Sequence, residues 1–127
     1  MNEIDKKNLI LNLAMGMKTH DVSLLESLLT EDVVWSLPGK SLMSGEAQGV
    51  AGILKRAEIL QQYEVNVGLE HIVYGHQGVG LLLHNTGKHG GKTLDEHLTT
   101  VCLLRGDKIA RLDTYISDVD MLNAYFA

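Results

Sequence analysis

Cysteine, proline, tryptophan and phenylalanine each occur once in this 127-residue chain, and Trp, Phe and Tyr together make up only 5% of it. With Cys102 alone, no intrachain disulfide can form, which fits a reducing compartment. Basic residues never cluster beyond Lys6-Lys7. Eleven Lys and Arg stand against sixteen Asp and Glu, a formal net charge of −5. That balance lacks the clustered basic face of a nucleic-acid binder, so no nucleic-acid partner is expected. No apolar run approaches the roughly 20 residues of a membrane span. The opening MNEIDKKN lacks the basic-then-apolar order of a signal peptide, so the expectation is a cytoplasmic protein with no membrane partner.

What remains is a globular composition, 45% hydrophobic and 21% charged, with neither repeat nor low-complexity linker. One domain spanning residues 1–127 is expected. Ile10, Leu13, Ala14 and Met17 recur at helical spacing, and Leu9, Leu11 and Met15 widen that stripe toward a helix buried on much of its circumference. Asp21 suits the N-cap of a second short helix with Leu24, Leu25, Leu28 and Leu29. Val33 to Leu37 reads as a short strand ended by Pro38-Gly39. A third helix follows from about Gly49.

After Tyr63 the period changes. Val65 to Tyr74, Val79 to Lys88, Lys92 to Arg105 and Lys108 to Ser117 read as four strands separated by glycine-rich turns. Asp118 then caps a short last helix. Helices first and a meander afterwards predict an α+β fold, with three N-terminal helices packed on a curved antiparallel sheet.

The turns set the register. A two-residue loop at Gly106-Asp107 pairs Leu104 with Ile109, Cys102 with Arg111, Thr100 with Asp113 and Leu98 with Tyr115, all on one face. A loop at Gly90-Gly91 adds Leu83 beside Leu98, and Asn85 beside Glu96, to that face. The other face then carries Leu103, Ala110, Val101, Leu112, Thr99 and Thr114, with His84 opposite His97. A slip by one residue would exchange the faces. A carboxylate, a phenol and a hydroxyl on an apolar wall suit a small apolar ligand bearing one or two oxygens. Asp113 and Tyr115 are therefore the candidate catalytic residues, as base and donor. Leu83, Leu98, Thr100 and Cys102 are candidate members of a ligand-binding wall.

Cys102 has no histidine on its face to activate it and reads as a buried small hydrophobe. None of the six histidines shows the paired spacing of a zinc motif. His84 and His97 face each other, but no carboxylate is expected with them, so neither metal nor other cofactor is expected. The aliphatic second face is too apolar to leave bare on a small monomer, which predicts a homodimer through sheet-on-sheet contact.

Three stretches carry a family resemblance. HDVSLLESLLTEDVVWSLPG, GEAQGVAGIL and DKIARLDTYISDVDML are similar, in order and spacing, to segments of the SnoaL-like branch of the nuclear transport factor 2-like superfamily. That branch contains polyketide cyclases and relatives of ketosteroid isomerase. The resemblance implies a cone-shaped fold with a deep apolar pocket, usually in a homodimer, serving isomerases, cyclases, epoxide hydrolases or binders without chemistry. It also implies that the general base of a ketosteroid isomerase would stand at Leu37, its oxyanion-hole acid near Thr100 and its tyrosine near Leu13. Leu, Thr and Leu cannot perform those roles, which argues against that activity. In the limonene epoxide hydrolase branch, pocket positions of the last strand resemble Asp113 and Tyr115. The resemblance also implies that Leu37 faces the pocket, and Trp35 on the same strand face with it, so both join the candidate ligand-binding wall. Two functions are therefore expected as alternatives: an isomerase, cyclase or hydrolase acting on a small carbonyl or hydroxyl compound, or a non-catalytic ligand-binding or accessory protein.

Overall fold

The computed structural model describes all 127 residues. Helix α1 (Glu3–Thr19) starts at a capping box: the Asp5 amide donates to Asn2 Oδ1 at 2.8 Å, and the Asn2 amide points back to the Asp5 carboxylate. It ends where His20 turns left-handed. Only Leu9, Ile10, Leu13 and Gly16 are buried, while Leu11 and Met15 are exposed, so the apolar stripe is narrower than its sequence suggests. Gly16 has no side chain because Leu25 of α2 (Val22–Leu28) packs there, and a Cβ would lie 2.8 Å from Leu25 Cδ2. Asp21 caps α2 through the Leu24 amide.

The sheet has six strands: β1 (Leu29–Leu37), β2 (Gly45–Gln48), β3 (Val65–Tyr74), β4 (Gly78–His89), β5 (Lys92–Arg105) and β6 (Lys108–Ile116). Helix α3 (Gly49–Gln62) joins β2 to β3, and α4 (Val119–Tyr125), capped by Asp118, closes the chain. The sheet is open and ordered β2-β1-β6-β5-β4-β3. It is mixed and not purely antiparallel, because β1 runs parallel to β6. The extra strand β2 is four residues of small and polar type, GEAQ, pairing with the end of β1. It carries no β-branched or aromatic residue, so no strand signal exists for it in the sequence.

Helices cover the concave side. The core there joins Leu9, Leu13, Leu25, Val33, Trp35, Leu37, Ile53, Leu81, Cys102, Leu112 and Phe126 with ten further buried residues. No helix is long and apolar enough to cross a membrane.

Candidate functional site

The β4–β5 hairpin has the register that its glycine turn requires. Leu83 faces Leu98, His84 faces His97 and Asn85 faces Glu96. The β5–β6 hairpin does not. It begins as expected, with Arg105 opposite Lys108 and Leu104 opposite Ile109, but a bulge at Ala110 then brings Leu103 opposite Arg111. One extra residue on β6 shifts every later pair, and a shift of one exchanges the faces. Thr100 therefore faces Thr114 and not Asp113, while Val101 faces Asp113 and Thr99 faces Tyr115.

This corrects the expected constellation. Asp113 and Tyr115 stand on the outer face of the sheet, away from the helices. Tyr115 is 65% exposed. The Arg111 Nε–H donates a bifurcated hydrogen bond to both oxygens of the Asp113 carboxylate, each 3.0 Å away, and the two side chains form an ion pair. Leu112 and Thr114, expected on the outer face, are buried on the inner one. Trp35, Leu37, Leu98, Thr100 and Cys102 do lie buried on the inner side, and Leu83 is half-buried among them. Burial pushes the Cys102 thiol up to about 12, so it is inert at neutral pH.

Three inner polar groups make a continuous chain. The Trp35 indole N–H donates to Thr114 Oγ1 at 2.8 Å, and the Thr114 and Thr100 hydroxyls lie 2.8 Å apart. Over the Trp35 ring sits the Arg56 guanidinium, 5.1 Å from the ring centroid. Arg56 belongs to α3, is buried, and has no carboxylate partner. It donates instead to the carbonyls of Trp35 and Gly45, each at 2.7 Å. Burial lowers its pKa from the usual arginine range. Its two donors tie α3 to β1 and to the start of β2, which holds the Trp35 wall in place.

A second inner group lies toward α4. Glu96 is only 3% exposed, and its Oε2 has no hydrogen-bond partner; the same holds for Oδ1 of Asn85 directly across the hairpin. Desolvation, with a smaller contribution from the Asp118 charge, raises the Glu96 carboxyl to about 7. A carboxyl poised near neutrality, buried on a concave apolar wall beside an amide, can take or give a proton at physiological pH. Sequence reasoning placed Asn85 and Glu96 together, but a glutamate between Asp95 and His97 carries no mark of burial.

On the outer face His84 and His97 stack at 4.2 Å between ring centroids, with 18° between their planes. The expectation that no carboxylate joins them is wrong. Glu70 Oε1 lies 3.7 Å from His97 Nδ1, and Asp95 Oδ1 lies 2.5 Å from His84 Nε2. A shallow groove of about 360 Å³ runs beside them, bordered by Leu82, Thr99 and Tyr115.

This arrangement of helices on an open curved sheet is shared with known structures. Bal32a, from a soil-derived mobile gene cassette, superposes with a TM-score of 0.86 at 18% identity over 97% of each chain. The chain has the NTF2-like fold. An NTF2-like protein from Burkholderia xenovorans LB400 matches equally well, with a TM-score of 0.86 and 18% identity over 100% of this chain and 99% of that one. A protein described as a SnoaL-like polyketide cyclase, from Jannaschia sp. CCS1, gives a TM-score of 0.76 at 13% identity over 98% and 94%. No protein-family model matches the sequence, and no curated protein matches it significantly.

Proposed function

We propose that this NTF2-like chain, as one SnoaL-like domain over residues 1–127, binds a small apolar carbonyl or hydroxyl compound against its concave sheet face. There it catalyses a proton transfer of the isomerase or cyclase kind. One observation carries this reading: Glu96 is a buried carboxyl, raised to about 7, with an unpartnered oxygen beside an unpartnered amide oxygen of Asn85. Ionised Glu96 removes a proton from carbon or oxygen of the ligand and returns it elsewhere, and the Asn85 amide N–H donates to the oxygen on which charge develops. Trp35, Leu37, Leu83, Leu98 and Thr100 supply the wall. The likeness to a SnoaL-like cyclase supports the reaction class through the fold alone.

The second reading is a binder without chemistry. Leu13, Leu37 and Thr100, at the positions where a ketosteroid isomerase would carry its tyrosine, base and oxyanion-hole acid, favour it. A screen of small enolisable ketones against the purified protein separates the two. Turnover whose pH profile carries a pKa near 7, lost in Glu96→Gln, supports catalysis. Ligand binding that survives Glu96→Gln with no turnover supports the binder.

The outer face leads to a homodimer. Leu82, Leu103 and Tyr115 are exposed on that face, and a second copy covers them through an isologous contact. A lone buried thiol agrees with a cytoplasmic setting.

A further inference from the structure

We propose that Glu70, His84 and His97 form a binding site for a single zinc-class divalent ion on the outer face of the sheet. The three residues come from three adjacent strands, β3, β4 and β5. One donor atom from each lies within 4.8 Å of the others. A tetrahedral zinc with ligands at about 2.1 Å sets its donors roughly 3.4 Å apart, so closure takes at most about 1.4 Å of side-chain movement at any gap. The Glu70–His97 pair, at 3.7 Å, is nearly there.

The backbone accounts for the convergence. His84 and His97 are direct cross-strand partners, so their Cβ atoms stand close on the same face. Glu70 is the extra residue of a bulge in β3: Leu69 pairs with Leu83 and His71 with Leu82, leaving Glu70 without a partner position. A bulge re-aims a side chain, and here Glu70 leans across β4 to reach His97 on β5.

The donor set selects the ion. Two imidazoles and one carboxylate suit zinc and its late first-row neighbours, whereas magnesium and calcium prefer oxygen alone. Asp95 completes the arrangement. Its carboxylate lies 2.5 Å from His84 Nε2 and fixes that ring, as carboxylate–histidine pairs do around metals. In the single chain all four side chains reach solvent, so an ion has an entry path before a second copy covers the neighbouring Leu82 and Tyr115, and three protein ligands leave a fourth position for water. The site is separate from Glu96, which faces the opposite side of the sheet.

The test uses the full chain, stripped with a chelator and titrated with zinc chloride by calorimetry, and with cobalt(II) followed by visible absorption. One ion per chain and a tetrahedral cobalt spectrum are expected. Glu70→Gln and His97→Gln should each weaken zinc by at least about ten-fold, while His71→Gln leaves it unchanged. All three positions are exposed, and circular dichroism checks that each variant stays folded. Absence of zinc binding at millimolar concentration overturns the proposal. So does binding that His97→Gln and Glu70→Gln both leave intact, which would place the ion on other histidines.

Discussion

Glu96 lies directly across the β4–β5 hairpin from Asn85, and each side chain buries an oxygen that no donor satisfies. A protonated Glu96 can relieve both at once, because its O–H can donate to Asn85 Oδ1 while its charge disappears. The native state therefore favours the neutral acid until pH approaches about 7.

Stability follows from that preference. The unfolded chain releases this proton near the ordinary value of 4.5, the folded chain only near 7. Between these values the folded state holds more protons, so stability falls as pH rises. The contribution is complete below about pH 4.5 and gone above about pH 7, an overall loss of about 3 kcal/mol at ~1.4 kcal/mol per pH unit. Urea denaturation at intervals from pH 5 to 8 should show this decline in the native protein and a flatter line in Glu96→Gln. At pH 8 the variant should be the more stable. Equal slopes would mean that Glu96 is already ionised in the folded state.

Much of this was legible beforehand. The strands after Tyr63 announce themselves by β-branched residues between glycine turns, and the Gly90-Gly91 turn already sets Asn85 against Glu96. The outward turn of Asp113 and Tyr115 was not legible. It depends on one bulged residue, Ala110, and nothing in KIARLD distinguishes a bulge from a regular strand. Arg56 escaped notice because an arginine on an amphipathic helix reads as solvent-facing, and only the fold shows two carbonyls converging on it. Glu70 belongs with the histidines through a second bulge, equally silent in the sequence.

Asp113 separates the inner site from the outer face. Its carboxylate is committed to Arg111 on the outer surface, so Asp113→Asn should leave any turnover of the Glu96 site within about two-fold, well under the roughly hundred-fold typical of a lost general base. A loss as large as that of Glu96→Gln would return the chemistry to the outer face.

Leu103 tests the second copy. It is 44% exposed beside Val101 on the outer face, whereas Leu112, expected there, is buried in the core. Leu103→Glu places two like charges at an isologous contact and should convert dimer to monomer in sedimentation, with little loss of fold. A dimer that persists unchanged puts the contact elsewhere.

Arg56 should resist even conservative replacement. Its fork reaches the Trp35 and Gly45 carbonyls together while its plane covers the indole. A lysine ammonium is a single point and cannot span both acceptors in that geometry. Arg56→Lys should cost about 2 kcal/mol or more in urea denaturation, because it leaves a buried carbonyl unpaired. Loss of no more than a few tenths would show that water replaces the fork at the start of β2.

Thr114 offers the cleanest reading of the inner wall, since Trp35 is the chain's only tryptophan and reports alone in fluorescence. The Thr114 hydroxyl accepts from the indole and pairs with Thr100. Thr114→Val keeps the shape but strands the buried indole N–H, a cost of about 1–3 kcal/mol. Thr100→Val removes only the outer member of the chain and leaves the indole bond intact, so it should cost about 1 kcal/mol or less. Emission should shift to shorter wavelength in Thr114→Val alone, because the indole loses its polar partner. If both variants shift the spectrum equally, the two hydroxyls and the indole act as one cooperative network in which Thr100 orients Thr114. If neither does, the indole N–H has found water, and the wall at Trp35 is open to solvent or ligand.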